Sequence, residues 1–432
     1  MNDVFNFKFI ITGVFAVAIV AGVVIFALSK TSTGTGQVQA HLTIWGTISE
    51  EAFQAALQNS SLNNDKNITM TYVRKDPSSF DADFVEALAD GVGPDIVILR
   101  EDSVYKERNK ILPIPYTTLT ERAFKDKFIQ EGEMFLTPDG TLSVPFIVDP
   151  LVMYWNRDMF SNALISLPPQ NWDEVYADIG KMTRKDSNAN ILVSAIALGE
   201  WSNITNAKEI ISMLLLQAGT PITQRNGAKV ESVLNSQFNQ AIVPSQSAIN
   251  FYTQFSNPTG ANYTWNRSLP NSLNFFLSGN LAMYIGFASE LFPIRQKNSN
   301  LNFDVTYLPQ IRNTAKKTVF AHMYGLSIVK QSKQIAGAYT AITALTEAAA
   351  LKGLESVTAL PPVRRDLLAG QPTDAYRAVF YNSALLASSW IDPDPNASFN
   401  TFRNMITSIT SGQSKTAEAL NRADDELRAE LQ

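Results

Sequence analysis

Residues Val144 to Trp172, VPFIVDPLVMYWNRDMFSNALISLPPQNW, constrain the fold more than any other stretch of this chain. Pro145 and Pro150 bracket the apolar run Val144 to Leu151. Proline fixes φ and carries no N–H, so the run must be extended rather than helical. It continues as an aromatic strand, Val152-Met153-Tyr154-Trp155, and turns at Asn156-Arg157-Asp158. Pro168-Pro169 then leads to a helix start at Trp172-Asp173-Glu174. Two architectures accommodate this order. One is an extended crossing between two lobes, which lets them close without bending a helix. The other is a strand, turn and helix inside a single core.

The length of 432 residues favours the first, because single cores stop growing well before that size. The net charge of −5, with no basic run, argues against nucleic acid as a partner. There is no cysteine, which removes disulfides, thiolate metal sites and cysteine nucleophiles. The two histidines, His41 and His322, have no ligand spacing, so neither a metal nor any other cofactor is expected. Phe9 to Leu28 carries no charge over 20 residues and would span about 30 Å as a helix. It is too long for the apolar part of a signal peptide, and the small-residue site at Ala40 lies too far beyond it for ordinary cleavage. The expectation is an uncleaved single-pass anchor at 9–28, with residues 1–8 cytoplasmic and a Ser/Thr/Gly-rich linker at 29–40. The body then sits on the extracellular or periplasmic side. Whether Ala40 is ever a cleavage point stays open.

Beyond the linker, hydrophobic periodicity predicts strands at His41–Trp45, Ile68–Arg74 and Asp95–Leu99, alternating with helices at Glu50–Gln58 and Phe80–Asp90. That alternation is the rhythm of a parallel sheet with crossover helices. From about Trp172 to Phe292 the pattern is mostly helical, with a strand at Leu281–Ile285. Phe303 to Leu308, closed by Pro309, reads as a second extended crossing, followed by a strand at Tyr324–Val329. Helices are expected at Gln334–Glu347, Ala348–Glu355, Phe399–Thr410 and Thr416–Leu431. Two crossings about 150 residues apart imply lobes that are each discontinuous in sequence, with ligand held at the carboxyl ends of strands.

Six fragments, in one order, resemble the extracellular solute-binding proteins of ABC transporters, family 1, the group of the maltose-binding protein. They are GVGPDIVIL (91–99) with ILPI (111–114), Val144-Pro145 with MYWNRDMF (153–160), LPPQNWDEV (167–175), FLSGNLAM (276–283), YLP (307–309), and LSIVK (326–330) with the helix that follows. The resemblance runs from about residue 41 to the C-terminus. It implies an α/β, two-lobe, type II periplasmic-binding-protein-like fold with discontinuous lobes joined by hinge strands. One lobe would be 41–147 with 310–355, the other 148–309 with 356–432. The lipobox cysteine of many relatives is missing. His322-Met323-Tyr324-Gly325 stands where sugar binders often have a glycine pair. Leu99 stands close to where maltodextrin binders place an aromatic, so maltodextrin itself is not the implied ligand.

The implied function is capture of a small solute, with carbohydrate the class the family favours, and its delivery to an ABC transporter permease by a monomeric, membrane-tethered receptor that is not an enzyme. A hydroxyl-rich ligand needs flat aromatic faces and a few fixed polar groups. Trp45, at the end of the first strand, fits either a ligand-facing or a core role. The resemblance aligns Asp102, in the loop after the third strand, with a ligand-bonding position; an N-cap role fits equally. Asp149, inside the first crossing, needs a partner, either ligand or backbone. The resemblance places a stacking aromatic at Phe287. Tyr324, before its strand, and Trp390, on a proline-rich loop, complete the expected ligand-binding set. Arg364-Arg365 reads as a solvated loop. Asp392, Asp394 and Asn396 faintly suggest calcium, against which the intervening prolines argue. The alternatives are a glycoside-active enzyme with paired carboxylates, though no catalytic signature is present, and a surface ligand sensor that feeds no transporter.

Overall fold

The computed structural model describes residues 38–432 apart from Asn239, Ala315 and Gln371. The anchor expected at 9–28, the N-terminal 1–8 and the linker up to residue 37 lie outside the described residues. Among the described residues no helix is long and apolar enough to cross a membrane.

The strands that carry the fold are β1 (Ala40–Gly46), β2 (Ile68–Arg74), β3 (Ile96–Arg100), β4 (Val144–Asn156), β5 (Ile191–Ile196), β6 (Leu281–Phe287), β7 (Phe303–Thr306) and β8 (Val319–Val329). The chain divides into two compact units. The first ends at Ile98 and regains the chain at Ser327–Gly353; the second is Leu99–Leu326 with Leu354–Gln432.

In the first unit β1 lies between β2 and β3 and is parallel to both. This is the βαβ rhythm read from the sequence, with helices Glu50–Gln58 and Phe80–Ala89 as crossovers. Ser49 caps the first of these by accepting from Ala52 N. Asp95 ties the sheet together. Its carboxylate accepts from Thr43 N at 2.9 Å and from Ser332 Oγ at 2.6 Å, and its carbonyl accepts from Val329 N. Helix Ile335–Leu345 packs so close to β1 that a Cβ on Gly337 would lie 2.4 Å from the Ala40 Cβ. Only glycine fits there.

In the second unit β4 is the spine. It pairs antiparallel with β8, β6 and β7, while β5 joins β6 in parallel. Nearly every residue of β4 is buried, which explains an apolar run without alternation. Tyr154 is the core partner of the Tyr154-Trp155 pair. It is fully buried among Phe276, Tyr284 and Phe303 and donates to the Phe287 carbonyl at 2.7 Å. Trp155 is half-buried, edge-on to Phe160. Trp172 is structural: its Nε1 donates to Gln217 Oε1 at 2.7 Å.

Four local expectations change. The turn at 156–158 is the start of a short helix, Arg157–Asn162, capped by the Asn156 side chain. Ile191–Ile196, inside the stretch read as helical, is a strand. Asp102 is not in a loop but in the first turn of helix Glu101–Glu107, with Arg100 at the N-cap position. Tyr324 lies inside β8, which begins at Val319; the first half is buried on both faces and so carries no alternation that would mark it as strand.

Candidate functional site

Asp149 sits at the centre of β4, where burial penalises a carboxylate. Its direct partner is the backbone: Ser289 N donates to Oδ1 at 3.0 Å, from the turn that follows β6. His322 of β8 is its cross-strand neighbour. Burial raises the Asp149 pKa to about 6, outweighing the opposing pull of the Ser289 hydrogen bonds and of His322.

His322 is held on several sides. Its Nδ1 lies 2.8 Å from Glu101 Oε1, and the other oxygen of Glu101 accepts from Met323 N at 2.8 Å. A carboxylate only accepts, so Nδ1 is the donor. The Phe287 ring stacks on the imidazole at 4.5 Å between centroids and 21° between planes; Phe320 meets it edge-on at 5.4 Å. Nε2 faces Glu209 Oε1 at 3.8 Å, beyond hydrogen-bond length.

Two ion pairs stand beside this histidine. Arg100 grips Asp102 through Nε, at 3.0 Å from each carboxylate oxygen, and also through Nη2. Burial alone would push Asp102 up, but the Arg100 charge and hydrogen bonds hold its carboxyl well below the usual range. Helix Ala207–Gln217 is almost wholly buried, yet it carries Lys208. Lys208 Nζ donates to Asp392 Oδ2 at 2.6 Å and to Ser398 Oγ at 2.7 Å. Desolvation opposes its charge, and Asp392, Asp102 and Glu209 together more than offset this, raising the lysine's pKa. Ser212, one turn further along the same face, accepts from Trp390 Nε1 at 3.1 Å, and Lys208 Nζ lies 5.6 Å from the indole centroid. Phe402 also stacks on that indole. Asp394 caps helix Pro395–Thr410. Asp392 and Asp394 thus have structural partners, which displaces the calcium suggestion; no group of candidate metal ligands occurs among the described residues.

Glu101, Asp102, Lys208, Glu209, Phe320, His322, Trp390 and Asp392 line one small, partly open cavity of about 10 Å³, room for roughly one water-sized group. Of the expected residues, Asp102 and Trp390 line it directly. Asp149 and Phe287 stand behind His322. Tyr324, two residues beyond His322 on β8 and so on the same face, is half-buried, and burial raises its phenol. Trp45 belongs to the first unit, 9% exposed, with Lys75 Nζ 3.8 Å above its ring. Sequence reasoning missed Glu101, Lys208, Glu209 and His322 as site residues. The available signal was a lysine in an otherwise apolar helical segment, which demands a buried anion.

A family profile described as bacterial extracellular solute-binding protein matches residues 45–352, well over half of the chain. Three curated proteins of Brucella abortus and Brucella suis, named as binding proteins, are 44% identical over 63 residues. That stretch is 14% of this chain and spans only 15% of their length. Among solved structures, a cyclo/maltodextrin-binding protein complexed with maltotetraose superposes with a TM-score of 0.73 at 16% identity, covering 92% of this chain and 99% of that one. A cyclic alpha-maltosyl-1,6-maltose binding protein from Arthrobacter globiformis gives 0.74 at 14% identity, over 91% and 99%. The GacH receptor of Streptomyces glaucescens, solved unliganded and in complex with acarbose, gives 0.69 at 17% identity, over 91% and 99%. At these identities the likeness establishes the fold.

Proposed function

The chain belongs to the bacterial extracellular solute-binding proteins, and from that premise we propose that it captures a carbohydrate outside the cell and hands it to an ABC transporter permease. The observation that carries the carbohydrate reading is the charge state of the cavity lining. Both cations beside the cavity, Arg100 and Lys208, are paired with carboxylates of the protein. A site built to hold an anion would leave such cations to its ligand. What remains are Glu101, Glu209 and His322 beside Trp390 and Phe320, fixed acceptors and a donor that suit a ligand with many hydroxyls.

The same pairing argues against glycoside hydrolysis, which needs one carboxyl group to give up a proton and a second to attack or activate water. Asp102 is held ionised by Arg100, and Glu101 is engaged by His322 and Met323 N. The finer parts of the reading are also proposals: the uncleaved anchor at 9–28, the lobes 41–147 with 310–355 and 148–309 with 356–432, a monomeric state, and Trp45 and Tyr324 as additional ligand contacts. Their support is the residue pattern. Ligand would shift the protein toward its binding-competent conformation only by the extra affinity it has for that form.

A thermal-shift panel of neutral oligosaccharides, peptides, polyamines and inorganic anions tests the proposal. Ligand at 100 times its Kd adds about 2.7 kcal/mol of stability, several degrees for a protein of ordinary size. A shift with sugars supports the reading. A shift confined to peptides, polyamines or anions rejects it.

A further inference from the structure

Resting on the carbohydrate reading, we propose that His322 and Glu209 together form the group that reads the ligand, by gripping one ligand hydroxyl that bridges Nε2 and Oε1 from the cavity side. Neither residue is a contact that the family resemblance implied.

Glu101 fixes the proton on Nδ1 of His322, and stacking against Phe287 fixes the plane of the ring. This leaves Nε2 as the polar atom that the ring turns toward the cavity, with Glu209 Oε1 opposite at 3.8 Å. That gap is too long for a direct hydrogen bond. In the neutral imidazole Nε2 is an acceptor, and a carboxylate is acceptor-only, so two acceptors face each other and need a donor between them. In the imidazolium Nε2–H is a donor that stops short of its acceptor. A hydroxyl bridges the pair when Nε2 carries a proton, accepting from Nε2–H while donating to Glu209; facing a neutral ring, its single hydrogen would serve only one of the two acceptors.

The other lining groups do not compete for this role. Arg100 closes on Asp102, and Lys208 on Asp392 and Ser398. The cavity volume of about 10 Å³ admits one hydroxyl-sized group rather than a sugar ring. It therefore acts as a terminal notch for one substituent, with the rest of the ligand outside it. Glu209 is suited to this because its side chain retains 18% exposure, while Glu101 is buried and holds the histidine from behind.

The test titrates wild type, His322→Gln, Glu209→Gln and the double variant with the first neutral oligosaccharide that the wild type binds in a panel running from maltotetraose to other unbranched and cyclic glucans. Each single variant is expected to weaken binding at least tenfold. The double variant should be no more than about twofold worse than the weaker single, because one bridging hydroxyl needs both partners. Losses that multiply independently, or singles within twofold of wild type, overturn the bridging proposal while leaving the carbohydrate reading standing. Wild type that binds no sugar removes the carbohydrate reading and this proposal with it. Should His322→Gln fail to fold, Glu209→Gln decides alone, with an unchanged melting temperature as the mark of an intact protein.

Discussion

Asp149→Asn tests whether the strand at the centre of the second unit holds a carboxylate against its preference. Asparagine has the same shape and keeps an oxygen for Ser289 N, so the change removes charge and little else. The folded pKa of about 6 stands roughly two units above the ordinary carboxylate value of 3.8. Between those values the folded state binds more protons than the unfolded state, so the aspartate costs stability as pH rises. The cost vanishes below about pH 3, where both states are protonated, is still small at pH 4, and is complete above about pH 7. At 1.36 kcal/mol per unit it approaches about 3 kcal/mol. Urea unfolding of both proteins at pH 4, 5, 6 and 7.5 measures it. The stability difference in favour of Asn should grow by about 2–3 kcal/mol across that range, steepest near pH 5–6. A difference that stays flat, or that favours the aspartate increasingly at high pH, refutes the reasoning.

Lys208→Met leaves Asp392 buried without its cation and should cost about 3–5 kcal/mol in urea unfolding; adding Asp392→Leu should recover most of the loss. Ile19→Arg puts a charge in the middle of the 9–28 segment, at a cost of about 2.5–3.5 kcal/mol for a spanning helix. It should move the chain from the carbonate-resistant membrane fraction to the supernatant, and equal retention would contradict the anchor.

Local pattern carried the first unit well. Strand Ile68–Arg74 and helix Glu50–Gln58 stand where periodicity and caps put them, and in the second unit a helix starts at Trp172 as read. Two of the failures share a cause, an apolar strand without polar alternation. Ile191–Ile196 and the first half of β8 lack the polar alternation that marks a strand, and Ile191–Ile196 lies within a stretch that otherwise reads as helical. The start of helix Glu101–Glu107 was hidden because arginine occupies the cap position in place of a usual capping residue. At the site, Asp102 and Trp390 were visible as isolated residues. The pairing of Lys208 with Asp392 joins positions 184 apart, and that of His322 with Glu101 joins positions 221 apart. No local pattern encodes such separations; only the strand pairings and helix packing bring them together.

Isothermal titration of the full chain, held in a non-glycosidic detergent so that no sugar headgroup competes, decides whether the cargo is a sugar. A neutral oligosaccharide should bind one to one with Kd about 1 µM or tighter, roughly −8 kcal/mol. Saturable binding of an inorganic anion or a charged peptide, with no heat from any neutral sugar, would contradict it.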